Sequence, residues 1–302
     1  MAGRLGRAVV AAAAALAGAG AGAAPAGSPW GAGFFPDVPL TAQDGRTFRF
    51  YSDLVRDRHV VIDFVFTRCR QACPLATANL ARVQRLLGAR VGRDLFFYSI
   101  SLDPEHDGPE ALRRYAEAYH AGPGWLFLTG RREDVERLRT RLGDRGTLED
   151  HAVFLQLGND PAGQWTTLSA VDDPGFLAAQ IDAWMTSDWR RHAPVASYAE
   201  APRPAAGSEG ARLYRQRCAA CHEPGPGGER TAADLRGVTR RRDRAWLQRW
   251  LASPERLLAE RDPIALELAA RHPGVSMPSL KLREAQVTAL LDYLAASGEG
   301  RE

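Results

Sequence analysis

The sequence predicts two folded units of different class, a layered α/β domain followed by a small all-helical one. Three observations predict it. Short runs of β-branched and aromatic residues alternate with helical stretches of about 10 to 15 residues through the first part of the chain. Composition then breaks at "RHAPVASYAEAPRPAAGSEG", which is rich in Pro, Ala, Gly and Ser and has no apolar period. Beyond the break, apolar residues return at helical spacing. With 302 residues, 45% of them hydrophobic and 25% charged, the chain is long enough for two modest cores.

Residues 1–24 place Arg4 and Arg7 ahead of an uncharged Ala/Val/Leu run that decays into small residues, the pattern of a secretory signal peptide. A mitochondrial presequence would keep placing arginines along the segment, and none follows Arg7 within it. Cleavage would lower the formal charge from +3 to about +1, which gives no case for nucleic acid. The run is too short and Gly-rich for a confident membrane span, and only a retained leader would anchor the chain. The arginine-rich "TRRRDRAW" (239–246) reads as a solvated helix start.

Element by element, "TFRFYSDL" reads as a strand or hairpin, and "HVVIDFVF" (59–66) as a buried central strand. "PLATANLARVQRLL" follows as a helix, with Pro74 in its first turn. The alternation continues through the strand "LFFYSISL", the helix "GPEALRRYAEAY", the strand "WLFLTG", the helix "REDVERLRTRL", the strand "HAVFLQLG" and the helix "PGFLAAQIDAWM". This α/β domain occupies residues 35–190, the linker 191–208 and the helical domain 209–302. The helical domain opens with "EGARLYRQRC" and closes with "REAQVTALLDYLAAS", where Val287, Leu290, Leu291 and Leu294 share a face.

The chain has four cysteines in two pairs. The second pair lies in "CAACH", the C-x-x-C-H signature of c-type haem attachment: Cys218 and Cys221 form thioethers and His222 lies beneath the iron. A Met/His cytochrome needs a second axial ligand. Met1 leaves with the leader and Met185 belongs to the first domain, which leaves Met277, with His272 five residues away as the alternative.

Cys69 and Cys73, in "FVFTRCRQACPL", lie where a strand hands over to a helix. A disulfide closing so short a loop restrains little chain entropy, so a purely structural staple is a poor use of the pair. Free backbone N–H groups and the helix dipole favour thiolate there, and thiolate serves both redox exchange and metal binding. Two soft thiolates suit Cu(I), and one imidazole would let the site hold Cu(II) as well. His59, His106, His120, His192 and His272 lie in polar or linker contexts and read as solvated, whereas His151 sits where a loop enters a late strand.

Residues 35 to 190 resemble the SCO/SenC family of thioredoxin-fold copper proteins, on "FTRCRQACPL", "YSISLDPEHDGPEALRRYAEAY", "WLFLTG" and "DHAVFL". Residues 209 to 298 resemble class I cytochromes c, on "CAACH", "DLRGV", "AWLQRWLASP", the Met-Pro of "GVSMPSL" and "ALLDYLAAS". The first resemblance implies copper ligands at Cys69, Cys73 and His151, with Asp150 beside the histidine. Family members usually carry Pro and Asp after the first cysteine, where this chain has Arg70 and Gln71, a more positive loop that should favour thiolate. Asp63 resembles the buried acid of thioredoxins, which assists proton transfer to and from their thiols.

Three functions follow as expectations. The first is a metallochaperone: a periplasmic copper protein, Cu(I)/Cu(II), that delivers metal to a respiratory oxidase subunit or another copper or thiol client, with haem c exchanging one electron with a redox partner. The second is a thiol:disulfide oxidoreductase in which Cys69 attacks and Cys73 resolves. In the third, the first domain only docks a plain electron carrier. The linker spans roughly 25 Å as a flexible coil, so contact between the two sites is allowed.

Overall fold

The computed structural model describes residues 29–148, 153–185, 207–224 and 230–299. The leader, residues 191–206 of the linker, His192, Asp150 and His151 lie outside the described residues. Seven strands form one sheet among the described residues: β1 (Pro39–Ala42), β2 (Thr47–Arg49), β3 (His59–Val65), β4 (Leu95–Ser101), β5 (Trp125–Gly130), β6 (Phe154–Asn159) and β7 (Gln164–Ser169). Their spatial order is β2-β1-β5-β4-β3-β6-β7. The central strands β3, β4 and β5 run parallel, and β6 lies antiparallel to β3, with Gln156 opposite Ile62.

Helices cover both faces, as a parallel sheet requires. Alternate residues of each strand serve opposite cores. On one face Val61, Phe97 and Phe127 pack under α1 (Cys73–Leu87), α2 (Pro109–Ala118) and α4 (Pro174–Met185). On the other, Val60, Ile62, Tyr98 and Ile100 pack under α3 (Arg132–Arg141). Each fully buried Leu, Ile or Phe contributes about 1.5–3 kcal/mol.

Two elements differ from the sequence reading. "TFRFYSDL" forms a strand only as far as Arg49, after which Phe50–Val55 coils into a helical turn. The Asp37 carboxylate draws the chain out of the sheet by accepting from the Tyr51 and Ser52 N–H groups, and Phe50, Leu54 and Val55 then bury at helical spacing. β7 was not anticipated, because "QWTTLS" lies half-exposed at the sheet edge and shows no clean apolar alternation.

The second unit is helical: α5 (Glu209–Arg217), α6 (Ala219–His222), α7 (Val238–Arg241), α8 (Arg244–Ala252), α9 (Pro254–Ala259), α10 (Pro263–Arg271) and α11 (Glu284–Glu299). The arginine-rich stretch divides between α7 and α8, with Asp243 capping the latter through the Trp246 N–H. Its core joins Leu213, Trp246, Leu251, Leu290, Leu291 and Leu294. The first and last helices cross at Gly210, where an added Cβ would lie 2.0 Å from the Ala289 carbonyl oxygen. Only glycine allows so close an approach. No described helix is long and apolar enough to cross a membrane.

Candidate functional site

β3 delivers the chain to a loop at the end of the sheet, and Cys73 then begins α1, with Pro74 in its first turn. What holds the loop is a carboxylate from another element. Asp107, fully buried, accepts from the Thr67 N–H at 3.0 Å, the Thr67 hydroxyl at 2.6 Å and the Ser101 hydroxyl at 2.6 Å. Asp103 next to it takes Arg68 and His106 as partners, at 2.7 and 2.9 Å. Sequence reading missed this anchor, whose one available signal was a pair of aspartates in "SLDPEHD" just after a strand.

Cys69 and Cys73 are both buried and in the dithiol form, and their thiols hydrogen-bond to one another. That bond lowers the Cys69 pKa to about 7, against the opposing cost of burial, with help from the N–H groups of Gln71, Ala72 and Cys73. Cys73, as the donor and the deeper thiol, moves well above the ordinary range. The expected thiolate bias therefore holds for one of the two cysteines. Its main source is the partner thiol; the backbone N–H groups expected from sequence contribute beside it, whereas the side chain of Arg70, expected to add positive charge, is exposed.

Asp63 lies on the same face of the sheet as α1 and is 2% exposed. Its Oδ1 accepts from the Ser99 hydroxyl at 2.6 Å, and Trp125 Nε1–H donates to that same hydroxyl oxygen at 2.9 Å. Oδ2 has no hydrogen-bond partner among the described residues. Burial raises the Asp63 pKa to about 7. Among the described residues no third His, Cys, Asp or Glu joins the two thiols in a metal-type cluster. The chain does enter β6, at Phe154, from the cysteine end of the sheet, since β6 runs antiparallel to β3.

Of the histidines expected on the surface, His106 and His120 are exposed, while His59 is half-buried with Nδ1 3.3 Å from the Asp94 carbonyl. His272 stands at the end of α10 and lines a cavity. That cavity, about 1260 Å³, is bounded by Cys218, Cys221 and His222 on α5–α6 and by Met277. Trp246, Leu247, Leu251, Leu290 and Leu294 supply apolar walls. His222 Nδ1 donates to the Ala233 carbonyl at 2.7 Å, which fixes the ring and leaves Nε2 as the nitrogen that could ligate an iron. Burial pushes the Cys218 and Cys221 thiols up to about 12. An apolar chamber with two neutral thiols, an oriented imidazole and a thioether fits a covalently attached haem. Both Met277 and His272 lie on its wall, so both remain available as second axial ligand.

The two sites share a boundary. Thr67, Arg68, Cys69 and Arg70 form part of the wall of the same cavity. Ala220 and Cys221 belong to the buried core of the α/β unit.

Comparison with known proteins places these features. The SCO1/SenC family model matches residues 34–185, half of the chain, and the cytochrome c model matches residues 207–297. The SCO1 protein homolog of Bacillus subtilis (strain 168) is 36% identical over 89 residues, 29% of this chain and 45% of that protein. The mitochondrial SCO2 homolog of Homo sapiens is 33% identical over 125 residues, 37% of this chain and 45% of that protein. The chain spans about half the length of the curated relatives it matches. Among solved structures, yeast Sco1 with copper bound is similar at a TM-score of 0.42 and 26% identity, covering 49% of this chain and 90% of that one. A thioredoxin-like α/β sheet carrying a buried cysteine loop, joined to a helical haem chamber, is thus accounted for segment by segment: the chain belongs to the SCO1/SenC family and continues into a cytochrome c domain.

Proposed function

We propose that the protein holds copper through Cys69, Cys73 and His151 and passes it to a copper centre of a respiratory oxidase or to another copper or thiol client. The observation that carries this reading is the shared wall: Cys69 lines the cavity that also contains His222 and Met277. Haem c, attached at Cys218 and Cys221 with His222 and Met277 as axial ligands, supplies a one-electron couple when bound. Copper as cargo also moves one electron between Cu(I) and Cu(II), whereas a dithiol moves two, so the pairing of centres favours copper.

The residues divide the work. Cys69, already near its thiolate form at neutral pH, offers the first sulfur. Cys73 releases its proton when the metal replaces the thiol–thiol bond. Asp107 fixes the loop so that both sulfurs converge. The protein works in the periplasm, exported by residues 1–24 and membrane-anchored if the leader is retained.

Asp63 favours a second reading. A buried carboxyl that titrates near neutrality on the cysteine face can take and return thiol protons, which supports thiol:disulfide exchange with Cys69 as attacker and Cys73 as resolving thiol. The deciding measurement is copper per haem in the reduced holoprotein after Cu(I) loading, with His151→Ala alongside. One copper per haem, lost or strongly weakened in the variant, supports the three-ligand site. Retention indifferent to His151, or no retention, overturns it and turns attention to disulfide reductase activity.

A further inference from the structure

The segments that would hold the haem are tied to the two elements that carry Cys69 and Cys73, each by its own contacts. The loop presenting Met277 lies against the first cysteine. Ser276 Oγ donates to the Cys69 carbonyl at 3.4 Å, and the Ser279 N–H donates to the Arg70 carbonyl at 3.1 Å. These two serines bracket Met277.

The haem-attachment turn is held by the other cysteine's helix. Arg82 of α1 donates to the Ala219 carbonyl at 2.7 Å, inside C-A-A-C-H, and its guanidinium lies 3.8 Å from the Glu223 carboxylate. Gly274 brings the Met277 loop onto α2 with φ +81°, where an added Cβ would lie 3.0 Å from Ala118 Cβ. A side chain would be strained there on both counts.

We propose that the Met277 loop and the Cys69–Cys73 loop act as one mechanical element, so that closing the cysteine pair, by a metal or by a disulfide, alters how Met277 meets the haem iron. The inference rests on the haem half of the proposed function and is independent of copper. Its physical basis is the identity of the acceptors. The carbonyls that receive Ser276 and Ser279 belong to the first cysteine and its neighbour. A disulfide demands a restricted Cα separation and torsion, and a bound metal demands that both sulfurs converge. Either resets the backbone from 69 to 73, and the two hydrogen bonds must follow or break. By thermodynamic linkage the oxidation state of the haem then biases the cysteine pair by the same factor.

The test uses the full haem-loaded chain in three states: dithiol, disulfide closed by diamide, and Cu(I)-loaded. Closure takes two electrons and two protons from the thiols to diamide, which becomes the hydrazine, and thiol counting verifies it. The readouts are the haem midpoint potential and the charge-transfer band that reports sulfur ligation of ferric haem. The expected result is a shift between the dithiol and disulfide states equivalent to about fivefold or more in the one-electron equilibrium constant. It should shrink in Ser276→Ala/Ser279→Pro and in Arg82→Gln, and vanish in Cys69→Ser/Cys73→Ser. The same potential and band in both states of the parent protein overturns the proposal, as does a shift that persists at full size in both clamp variants. Failure to retain copper would sink the copper reading alone, and the dithiol–disulfide comparison would still decide this one.

Discussion

The two cysteine pairs are built from the same residue and are all buried, yet the environment of Cys69 in the first pair and that of both cysteines in the second push in opposite directions. Cys69 is drawn down to about 7 by a hydrogen bond from Cys73 and three backbone N–H groups. Cys218 and Cys221, enclosed by apolar walls, are pushed up to about 12. Burial raises a thiol's pKa unless donors aimed at its sulfur outweigh it, as they do at Cys69. The first pair holds one thiol prepared to ionise and so to engage a metal or a disulfide, whereas the second is kept as neutral thiols in a chamber shaped for a flat cofactor.

The largest effect is expected where the second pair is broken. Cys218→Ser/Cys221→Ser should retain no covalently bound haem, read as the loss of haem absorbance from the protein band after denaturing electrophoresis or solvent extraction. Haem still covalently attached in that variant would remove the haem-chamber side of the comparison.

Next comes Asp63, which sits beneath the first pair. Its carboxyl ordinarily ionises near 3.8 and in the folded chain near 7, so between those values the folded protein keeps a proton the unfolded chain has released. The stability this gives is complete below about pH 4 and is lost as pH rises through about 7. Asp63→Asn should accordingly be more stable than the parent above pH 7, by on the order of a few kcal/mol, with the difference shrinking toward pH 4. Denaturant unfolding at both pH values reads it. An advantage that is equal at both would show that Asp63 does not titrate on folding.

A smaller loss is expected from Asp107→Asn. The amide cannot accept from Thr67 and Ser101 as the carboxylate does, so the loop loses its anchor at a cost of about 1–3 kcal/mol. The cost should appear as a lower midpoint in chemical denaturation. The smallest effect tests the source of the Cys69 thiolate. Alkylation of the reduced, metal-free protein should follow a profile centred near pH 7, and Cys73→Ala should slow it about tenfold at neutral pH by removing the donor. An unshifted profile would assign the thiolate to the backbone N–H groups alone.

Much of this was legible where chemistry forces residues to be close in sequence. C-x-x-C-H is readable because two thioethers and an axial ligand must fall on one helical turn, and the α/β class because buried strands need contiguous β-branched and aromatic runs. The strand beginning at Thr47 was read too long, since the carboxylate that ends it, Asp37, precedes it and belongs to no motif. The third donor proposed at His151 comes from family resemblance, and the residue lies outside the described residues.

By itself the sequence determined the two classes of domain, the order in which they occur and the residue types at each centre, because all three depend on local pattern. Tertiary structure alone decided that Cys69 and not Cys73 carries the lowered pKa, that Asp107 holds the loop, and that Ser276, Ser279 and Arg82 join the two centres. The bonds from Asp107 to Thr67, from Arg82 to Ala219 and from Ser276 to Cys69 link residues about 40 to more than 200 positions apart. Hydrogen bonds of that kind use serine, arginine and backbone carbonyls, which occur throughout the chain, and only the packing of one domain against the other selects which of them meet.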